Sequence, residues 1–435
     1  MNDPTRSSEW FAPIRGVKDI LPNETILRHY LEEMGRLVFG LYGYQEVRTP
    51  LFERTDLFTR AVGETTDIVE KEMYTFPDRN GESMTLRPEG TASVVRVFIH
   101  NALHRQLPWR VFYSGPMFRY ERPQKGRYRQ FHQIGCELFG PVGPLADAEM
   151  MAMAWRYLER IGLANTLTLE INSLGCPECR PAYSSQLIAF LSEQQESLCP
   201  NCRQRLQRNP LRVLDCKHPQ CQEIAKISPQ MMHHLCVACA DHFKGLLVHL
   251  EQLGLPHRLN PLMVRGLDYY SRTAFEITTD ALGTQNGVVA GGRYDGLVAQ
   301  MGGVSTPAIG FAMGVERLVL LLEQQKNSPS APQIPVYLVA VGGSEAASFA
   351  LRVAESLRQE DVVTDMNLLG GSMKSQMKKA GHSQARFTVI IGDDETRTET
   401  ICLKEMATGY QLTMPWRELP AYLVARTPSL HHKRS

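Results

Sequence analysis

The chain has 435 residues, of which 43% are hydrophobic and 21% are charged, and its formal net charge is +1. This composition is typical of globular proteins, and the length exceeds that of one ordinary core, so two or three domains are expected. No run of 18 apolar residues and no charged-then-apolar leader is present. Neither a membrane span nor a signal peptide is therefore indicated, and a cytoplasmic protein is expected. The net charge by itself indicates no nucleic-acid partner.

The first part of the chain alternates helical and strand-like patterns. Residues 25–42 place apolar side chains at helical spacing and lead into a strand-like run that Pro50 stops. A short strand at "SMTLRPEG" and a helix from about Thr91 follow. Two longer strands, "RVFYSGPMFRY" and "RQFHQIGCELFG", are joined by the basic turn "ERPQKGRY". Together these patterns predict a sheet with helices packed on it.

Composition divides the rest of the chain. Paired cysteines, glutamines and helical patterns indicate an insertion, after which strands return and a Pro/Ser-rich linker precedes alternating strands and helices. The predicted segments are a first part of the main domain at 1–171, a mostly helical, cysteine-rich insertion at 172–255, a second part of the main domain at 256–325, a linker at 326–334, a small α/β domain at 335–425 and a tail at 426–435.

The second long strand carries polar residues on one face. With a period of two, the face shared by odd positions holds Arg127, Arg129, Phe131, Gln133, Gly135 and Glu137. An ordinary solvated face could have this pattern. The basic turn, Arg119 at the end of the opposite strand and Glu89 near a helix start instead favour a site for an anion and an ammonium group. Neither GxxxxGK[ST] nor GxGxxG is present, so those two nucleotide-binding routes are not indicated.

The run "VRGLDYYSRTAFEI", Val264–Ile277, combines strand-like composition with an unusual polar cluster. It predicts a strand that carries Arg265 beside Gly266, where another group could approach the backbone closely. The simpler alternative is a strand arginine paired with a surface carboxylate. Tyr269 and Phe275 are expected in the core.

Several of these motifs together resemble a known family. The strand ending at Pro50, the run "FRYERPQKGRYRQFHQIGCELFG" and "GFAMGVERL" resemble motifs 1, 2 and 3 of class II aminoacyl-tRNA synthetases. "RGLDYYSRTAFE" and "GGRYDGL" resemble the two histidine-specific motifs of the histidyl-tRNA synthetase family. The resemblance runs from "IRGVKDILP" to the C-terminal domain, and the motifs occur in the family's order.

The resemblance implies both a fold and an activity. The expected fold is α+β, a class II synthetase antiparallel sheet flanked by helices, with the helical insertion and a C-terminal α/β anticodon-binding domain. The implied reaction activates L-histidine with ATP and Mg²⁺ to histidyl-adenylate, then transfers histidine to tRNA(His). A homodimer without a membrane partner is expected.

The resemblance also assigns roles to single residues. Arg119 would clamp the α-phosphate of ATP, and Arg265 would contact both that phosphate and the substrate carboxylate, which makes them the catalytic pair. Arg127 and Arg317 would hold the outer phosphates, while Phe131 would stack on adenine. Glu89, Thr91 and Gln133 would bind the ammonium group of histidine. Glu137 and Tyr270 would bind its imidazole, and Tyr294 would form a wall of the pocket. The implied histidine-binding residues are Glu89, Thr91, Gln133, Glu137, Arg265, Tyr270 and Tyr294.

Arg122 and Gln124 are implied as contacts to the acceptor end of the tRNA, although both residue types also occur in solvated loops. One alternative function is a histidine-binding regulatory subunit of an ATP phosphoribosyltransferase. Such relatives typically lack the C-terminal module and parts of the ATP motifs, whereas this chain keeps both. A zinc-dependent nucleic-acid-binding protein is the other alternative, but it leaves the remaining motifs unexplained.

Eight of the ten cysteines lie in the insertion. Three CxxC pairs and one wider pair could complete two Cys₄ zinc sites, because the short turn of CxxC directs both thiolates at one ion. The alternative is reduced thiols scattered through a helical insertion, and spacing alone does not reveal which pairs combine. The candidate ligands are Cys176, Cys179, Cys199, Cys202, Cys216, Cys221, Cys236 and Cys239.

Overall fold

The chain forms two compact units, Met1–Pro329 and Ser330–Ser435, in a computed structural model. The predicted linker at 326–334 and the part of the predicted tail beyond residue 426 lie outside the described residues. No helix in the described part of the chain has the length and apolarity needed to cross a bilayer. The residues that the structure describes are 12–63, 66–124, 126–283, 286–325 and 335–426.

The first unit combines two sheets with helices. Its strands are β1 (Gln45–Glu46), β2 (Phe52–Arg54), β3 (Tyr74–Pro77), β4 (Ser83–Leu86), β5 (Trp109–Phe118), β6 (Gln130–Phe139), β7 (Thr168–Ser173), β8 (His257–Leu259), β9 (Ser271–Thr278), β10 (Gly287–Arg293) and β11 (Ala308–Gly314). Its helices are α1 (Pro22–Leu41), α2 (Thr55–Val62), α3 (Thr91–His100), α4 (Pro144–Arg160), α5 (Arg180–Glu193), α6 (Pro200–Arg208), α7 (Pro219–Lys226), α8 (Val237–Gln252), α9 (Leu297–Gln300) and α10 (Val315–Glu323).

The main sheet has eight strands in the order β1-β5-β6-β11-β10-β9-β7-β8. All neighbouring strands pair antiparallel except at the two edges, where β1 pairs with β5 and β7 with β8 in parallel. β2, β4 and β3 form a separate antiparallel sheet. The predicted antiparallel sheet flanked by helices is therefore confirmed, with a parallel strand added at each edge.

The period of two along β6 separates two cores. Ile134, Cys136 and Leu138 belong to the larger core, which also contains residues of α1, α4, α8 and α10. Phe139 belongs to a second core with residues of α2, α3 and α9, and Phe131 packs against it. Side chains of a strand point alternately to opposite faces, so the odd positions of β6 share the side of the second core.

The insertion has a smaller core of its own, formed mainly by α5, α6 and α7 with the cysteines. α8 falls within the range predicted for the insertion, and it contributes both to the insertion core and to the larger core of the first unit. Its Cys239 lies in the insertion core, while Phe243, Leu246 and Leu250 lie in the larger core. α8 therefore fixes the insertion to the main sheet.

The strand predicted from Val264 begins only at Ser271, so the prediction that Arg265 lies on a strand is wrong. A strand needs a hydrogen-bonded neighbour. The ladder of β9 with β7 ends at the pair Ser173 and Thr273, and the ladder with β10 ends at Arg293 and Ser271. Residues 261–270 have no neighbouring strand in the described part of the chain and form an irregular segment, which we call the 261–270 segment.

The second unit is a small α/β domain, as predicted. Its five-stranded sheet has the order β13-β12-β14-β15-β16, in which the first three strands pair in parallel and the last two are antiparallel. One core cluster lies between this sheet, α11 and α14. The elements are β12 (Val336–Ala340), α11 (Ser344–Gln359), β13 (Thr364–Met366), α12 (Met373–His382), β14 (Phe387–Ile391), α13 (Asp393–Thr398), β15 (Thr400–Glu405), β16 (Gln411–Pro415) and α14 (Leu419–Val424).

Candidate active site

A cavity of about 270 Å³ lies in the first unit, on the side of the sheet that the odd positions of β6 face. Phe131, Gln133 and Glu137 line it, together with side chains from the turn before β6, from the 261–270 segment and from β10 and β11. Arg129 has the same parity but precedes the strand. Its guanidinium lies over the ring of Tyr120, 4.0 Å from the centroid, outside the cavity lining.

Glu137 is the most buried carboxylate of the cavity, with 1% of its surface exposed. Its Oε1 accepts a hydrogen bond from Thr91 Oγ1 at 2.7 Å, and its Oε2 accepts one from Tyr294 Oη at 2.5 Å. Burial raises the pKa of Glu137 to about 8, although both hydrogen bonds lower it. A side chain in this state can exchange a proton with a bound base near neutral pH.

Glycine at position 310 makes room for this carboxylate. Gly310 lies directly opposite Glu137 in the ladder between β11 and β6. A Cβ atom at position 310 would lie 1.7 Å from Glu137 Oε2. No side chain larger than hydrogen fits there while Glu137 keeps its position.

Glu89 and its neighbours form the adjoining part of the cavity wall. The carboxylate of Glu89 accepts hydrogen bonds from the backbone N–H groups of Thr91 and Ala92, at 2.8 and 2.7 Å, and so caps the start of α3. Burial raises the pKa of Glu89, against the effect of these bonds. Gln133 Oε1 is buried and has no hydrogen-bond partner among the described residues. A buried acceptor without a partner is suited to a ligand that donates.

Three arginines that lie near one another also line the cavity. Arg119 donates from Nε to Pro88 O at 2.8 Å, and its guanidinium lies 5.3 Å from the ring centroid of Phe131. Arg127 pairs with Glu121, and Arg317 donates to the carbonyl of Gly287. Burial and the nearby charge of Arg127 lower the pKa of Arg317. Crowded cations of this kind favour a polyanionic ligand.

The 261–270 segment brings Arg265 and Tyr270 to the boundary between the acidic and basic parts of the cavity. Arg265 is 11% exposed, lies 3.7 Å from Glu276 and is 5.3 Å from the ring centroid of Tyr270. Its Nε is buried without a hydrogen-bond partner among the described residues. Tyr270 packs against Tyr269 with 4.7 Å between ring centroids. Arg265 therefore retains a donor for a ligand at this boundary.

All eleven residues predicted to bind ATP or histidine line this cavity, whereas the two predicted to contact tRNA do not. Arg122 and Gln124 are exposed in the turn between β5 and β6, away from the cavity lining. Phe275 is fully buried in the larger core, as predicted. Tyr269, predicted as core, belongs to the second core and also lines the cavity.

Three carboxylates of the cavity lining are absent from the residues predicted from the sequence. Glu121 lies in the basic turn, Glu276 lies on β9 facing Gly287, and Glu316 lies in the first turn of α10. The charge pattern of "RYERPQKGR" could have indicated Glu121, and the alternation of side chains along β9 could have indicated Glu276.

The eight cysteines of the insertion form two clusters, each able to hold a metal ion. Within each cluster all sulfur atoms lie within 4.8 Å of one another. Four sulfurs about 2.3 Å from a tetrahedral zinc ion would be about 3.8 Å apart. The Sγ atoms of Cys176 and Cys236 are 3.9 Å apart, as are those of Cys199 and Cys216. The outer cluster is Cys176, Cys179, Cys236 and Cys239, and the inner cluster is Cys199, Cys202, Cys216 and Cys221.

Comparison with known proteins gives the same family over both units. Residues 16–318 match the family model "Histidyl-tRNA synthetase", and residues 335–426 match "Anticodon binding domain". The chain is 50% identical to a protein named "Histidine--tRNA ligase" from Geobacter metallireducens over 399 residues, which covers 92% of this chain and 95% of that one. It is also 50% identical to the ligase of that name from Geobacter sulfurreducens over 403 residues, covering 92% and 96%.

A solved structure is similar over nearly the whole chain. The crystal structure of apo histidyl-tRNA synthetase from S. aureus has a TM-score of 0.78 and 34% sequence identity, and the similarity covers 95% of this chain and 99% of that one.

Replacing Glu137 with Gln should remove a pH dependence of stability. Between the ordinary pKa of 4.5 and the raised value of about 8, the unfolded chain has ionised Glu137 while the folded protein keeps it protonated, so wild-type stability falls as pH rises. The loss is at most about 1.4 kcal/mol per pH unit. Thermal unfolding of both proteins at pH 5.5 and pH 8.5 should give a Tm difference that shifts in favour of Glu137→Gln at the higher pH. Parallel pH curves would show that Glu137 does not titrate in this window.

Proposed function

Because the chain belongs to the histidyl-tRNA synthetase family, we propose that the cavity around Glu137 is where histidine and ATP react. The activity of the family is to activate L-histidine with ATP to histidyl-adenylate and to transfer histidine to the 3′ end of tRNA(His), with release of pyrophosphate and AMP. The observation that carries the proposal is that one cavity joins buried carboxylates at one end to clustered arginines at the other.

Adenylate formation needs no protein nucleophile. An oxygen of the histidine carboxylate attacks the α-phosphorus of ATP, a P–O bond forms, and pyrophosphate leaves. Two anions must approach each other, so catalysis consists of positioning them and neutralising their charge. We assign this task to Arg265 and Arg119. The position of Arg265 between the two ends of the cavity supports its contact with both the carboxylate and the α-phosphate.

The basic end of the cavity suits ATP. Arg127 and Arg317 would hold the outer phosphates, and Phe131, beneath the guanidinium of Arg119, would stack on adenine. The family uses Mg²⁺ with ATP. Glu121 and Glu276 offer the carboxylate oxygens that Mg²⁺ prefers, and the ion would neutralise phosphate charge when bound.

The acidic end suits histidine. Glu137 and Tyr270 would bind the two imidazole nitrogens, and an apolar side chain of similar size would leave both groups unpaired. The ammonium group would bind Glu89, Thr91 and Gln133, and the unpartnered Oε1 of Gln133 supports this. Tyr294 would act as a wall of the pocket through its hydrogen bond to Glu137.

The RNA is bound elsewhere. We propose that Arg122 and Gln124 contact the acceptor end of tRNA(His), since their exposure in the turn beside the ATP end leaves them accessible. The match over residues 335–426 supports an anticodon contact by the second unit. Lys374 and Lys378 are exposed on α12 and offer cations for phosphates.

We propose a catalytic domain at 1–171 and 256–325, the insertion at 172–255 and an anticodon-binding domain at 335–425, in a cytoplasmic homodimer. The dimer is supported by exposed apolar side chains on α1, on the separate three-stranded sheet and directly before it, which are Leu37, Leu41, Leu51, Phe52 and Phe76.

We propose further that each cysteine cluster binds one structural zinc ion. Sulfur separations near those of a tetrahedral site support this, as do backbone N–H groups that donate to sulfur. Cys236 N lies 3.1 Å from Cys179 Sγ, and Cys199 N lies 3.3 Å from Cys221 Sγ. Such donors stabilise thiolates. No cysteine lines the cavity, so the zinc ions would take no part in the chemistry.

Replacing Arg265 with His should slow single-turnover adenylate formation at least ~10²-fold, with a smaller effect on ATP affinity, because the charge acts mainly in the transition state. Rapid-quench measurement with histidine and ATP gives the rate. Arg258→His is a matched control, since Arg258 is a strand arginine paired with Glu170 outside the cavity. A wild-type rate of adenylate formation in Arg265→His would refute the role assigned to Arg265.

Metal analysis of the chelator-washed protein should find two zinc ions per chain. A Cys176→Ser, Cys179→Ser variant should lose about one ion while keeping pyrophosphate exchange at saturating histidine. Cys402→Ser should keep both, because Cys402 lies in the second unit outside either cluster. A metal-free protein with a stably folded insertion would exclude the zinc proposal.

Light scattering at micromolar concentration should give the mass of a dimer. Phe52→Asp with Phe76→Asp should shift the mass towards a monomer, because charges would replace apolar contacts between subunits. Ile227→Asp changes a more exposed apolar residue of the insertion and should leave the dimer intact. A wild-type monomer would contradict the proposal.

A further inference from the structure

The 261–270 segment carries Arg265 and Tyr270 but lacks the support of a sheet. Its first half is held by Asn172 on β7, whose Nδ2 donates to Pro261 O at 3.3 Å and to Met263 O at 3.0 Å. Its second half reaches β9 at Ser271. Among the described residues, the backbone between these points has no ladder partner, so its position depends on individual contacts.

A second cavity, of about 220 Å³, lies behind the segment. Its wall includes Leu211, Leu214 and Met231 from the insertion, and Val264 and Leu267 from the segment. Side chains facing a cavity lose the contacts that close packing would provide. Apolar packing therefore fixes the segment only partly, and polar contacts carry a larger share.

Arg180 makes such a polar contact. Its guanidinium donates to the carbonyl oxygen of Tyr270 and, from Nε, to Leu174 O at 3.4 Å. The first contact holds the backbone of Tyr270 itself, and the second holds the end of β7. Since Arg265 lies over the ring of Tyr270, a displacement of this backbone moves both groups.

The outer cysteine cluster fixes where Arg180 stands. Arg180 is the first residue of α5 and follows Cys179 directly. The N–H groups of Cys179 and Arg180 both donate to Cys176 O, at 3.0 and 3.2 Å, which closes the CxxC turn. The residue is thus anchored by a hydrogen-bonded turn at its backbone and by the Tyr270 carbonyl at its guanidinium.

We infer that Arg180 is a positioning residue for histidine recognition, which holds Tyr270 and Arg265 in place from the cysteine-rich insertion. The inference rests on the proposed role of Tyr270 in binding imidazole. Arg180 does not line the reaction cavity, so it acts through the 261–270 segment and touches neither substrate. A shift of about 1 Å in such a group can cost up to 10²-fold in rate.

The test is steady-state pyrophosphate exchange with full-length Arg180→Met. The KM for histidine should rise about tenfold, while the KM for ATP should change less than threefold, since the arginines of the ATP end are held independently. Arg180→Lys keeps one donor and should restore part of the loss. Hydrogen exchange should show faster exchange in residues 264–271 of Arg180→Met than in the wild type.

Arg203→Met is the matched control, because Arg203 is also an insertion arginine that donates to backbone carbonyls, of Leu198 at 3.0 Å and Glu196 at 2.7 Å. Its KM for histidine should match the wild type. An unchanged KM for histidine in Arg180→Met, or equal rises in both KM values with no rescue by lysine, would overturn the inference. If Arg180→Met does not fold, the KM values of Arg180→Lys for histidine and for ATP are compared with those of the wild type in the same way.

Tyr270→Phe separates this inference from the assignment on which it rests. An unchanged KM for histidine in Tyr270→Phe would remove the role of Tyr270, and the inference with it. A raised KM in Tyr270→Phe beside a wild-type KM in Arg180→Met would remove the inference alone.

Discussion

A carboxylate buried in the middle of the main sheet is the constraint on which the rest of the site depends. Glu137 is costly to bury, and its raised pKa measures that cost. Thr91 at the start of α3 and Tyr294 after β10 must donate to it, while Gly310 on β11 must leave it space. Four elements contact this one side chain. The geometry of the acidic end of the cavity therefore depends on the hydrogen bonds to a buried group as well as on apolar packing.

A second buried network links the first helix to the basic end. Glu316, at the start of α10, accepts hydrogen bonds from the backbone N–H of His132 through both oxygens, each at 3.0 Å. Arg28 on α1 donates to the same carboxylate at 3.0 Å. The helix proposed to face the partner subunit is therefore connected directly to β6 and to the helix that carries Arg317. Arg28 and Glu316 are buried and His132 is partly buried, so this satisfied network favours a single geometry.

The sequence predicted those features that depend on local periodicity. The odd positions of β6 correctly identified Phe131, Gln133 and Glu137 as neighbours, because alternation is intrinsic to a strand. The segment before Ser271 was mispredicted, because whether residues form a strand depends on how far the neighbouring strands extend. Glu121, Glu276 and Glu316 were not predicted for a related reason: nothing local shows that they share a cavity. The grouping of the cysteines was equally non-local, since partners from opposite ends of the insertion combine.

The inner cysteine cluster lies within the sequence span of the outer cluster, so the two clusters become complete at different times during synthesis. Cys199 and Cys216 of the inner cluster are 17 residues apart, whereas Cys176 and Cys236 of the outer cluster are 60 apart. The shorter loop costs less entropy to close, and it lies wholly inside the longer one. As the polypeptide leaves the ribosome, the inner set is complete once Cys221 has emerged, while the outer set waits for Cys239. The insertion can thus mature from its centre outwards, and its junction with the rest of the enzyme is the last part to close.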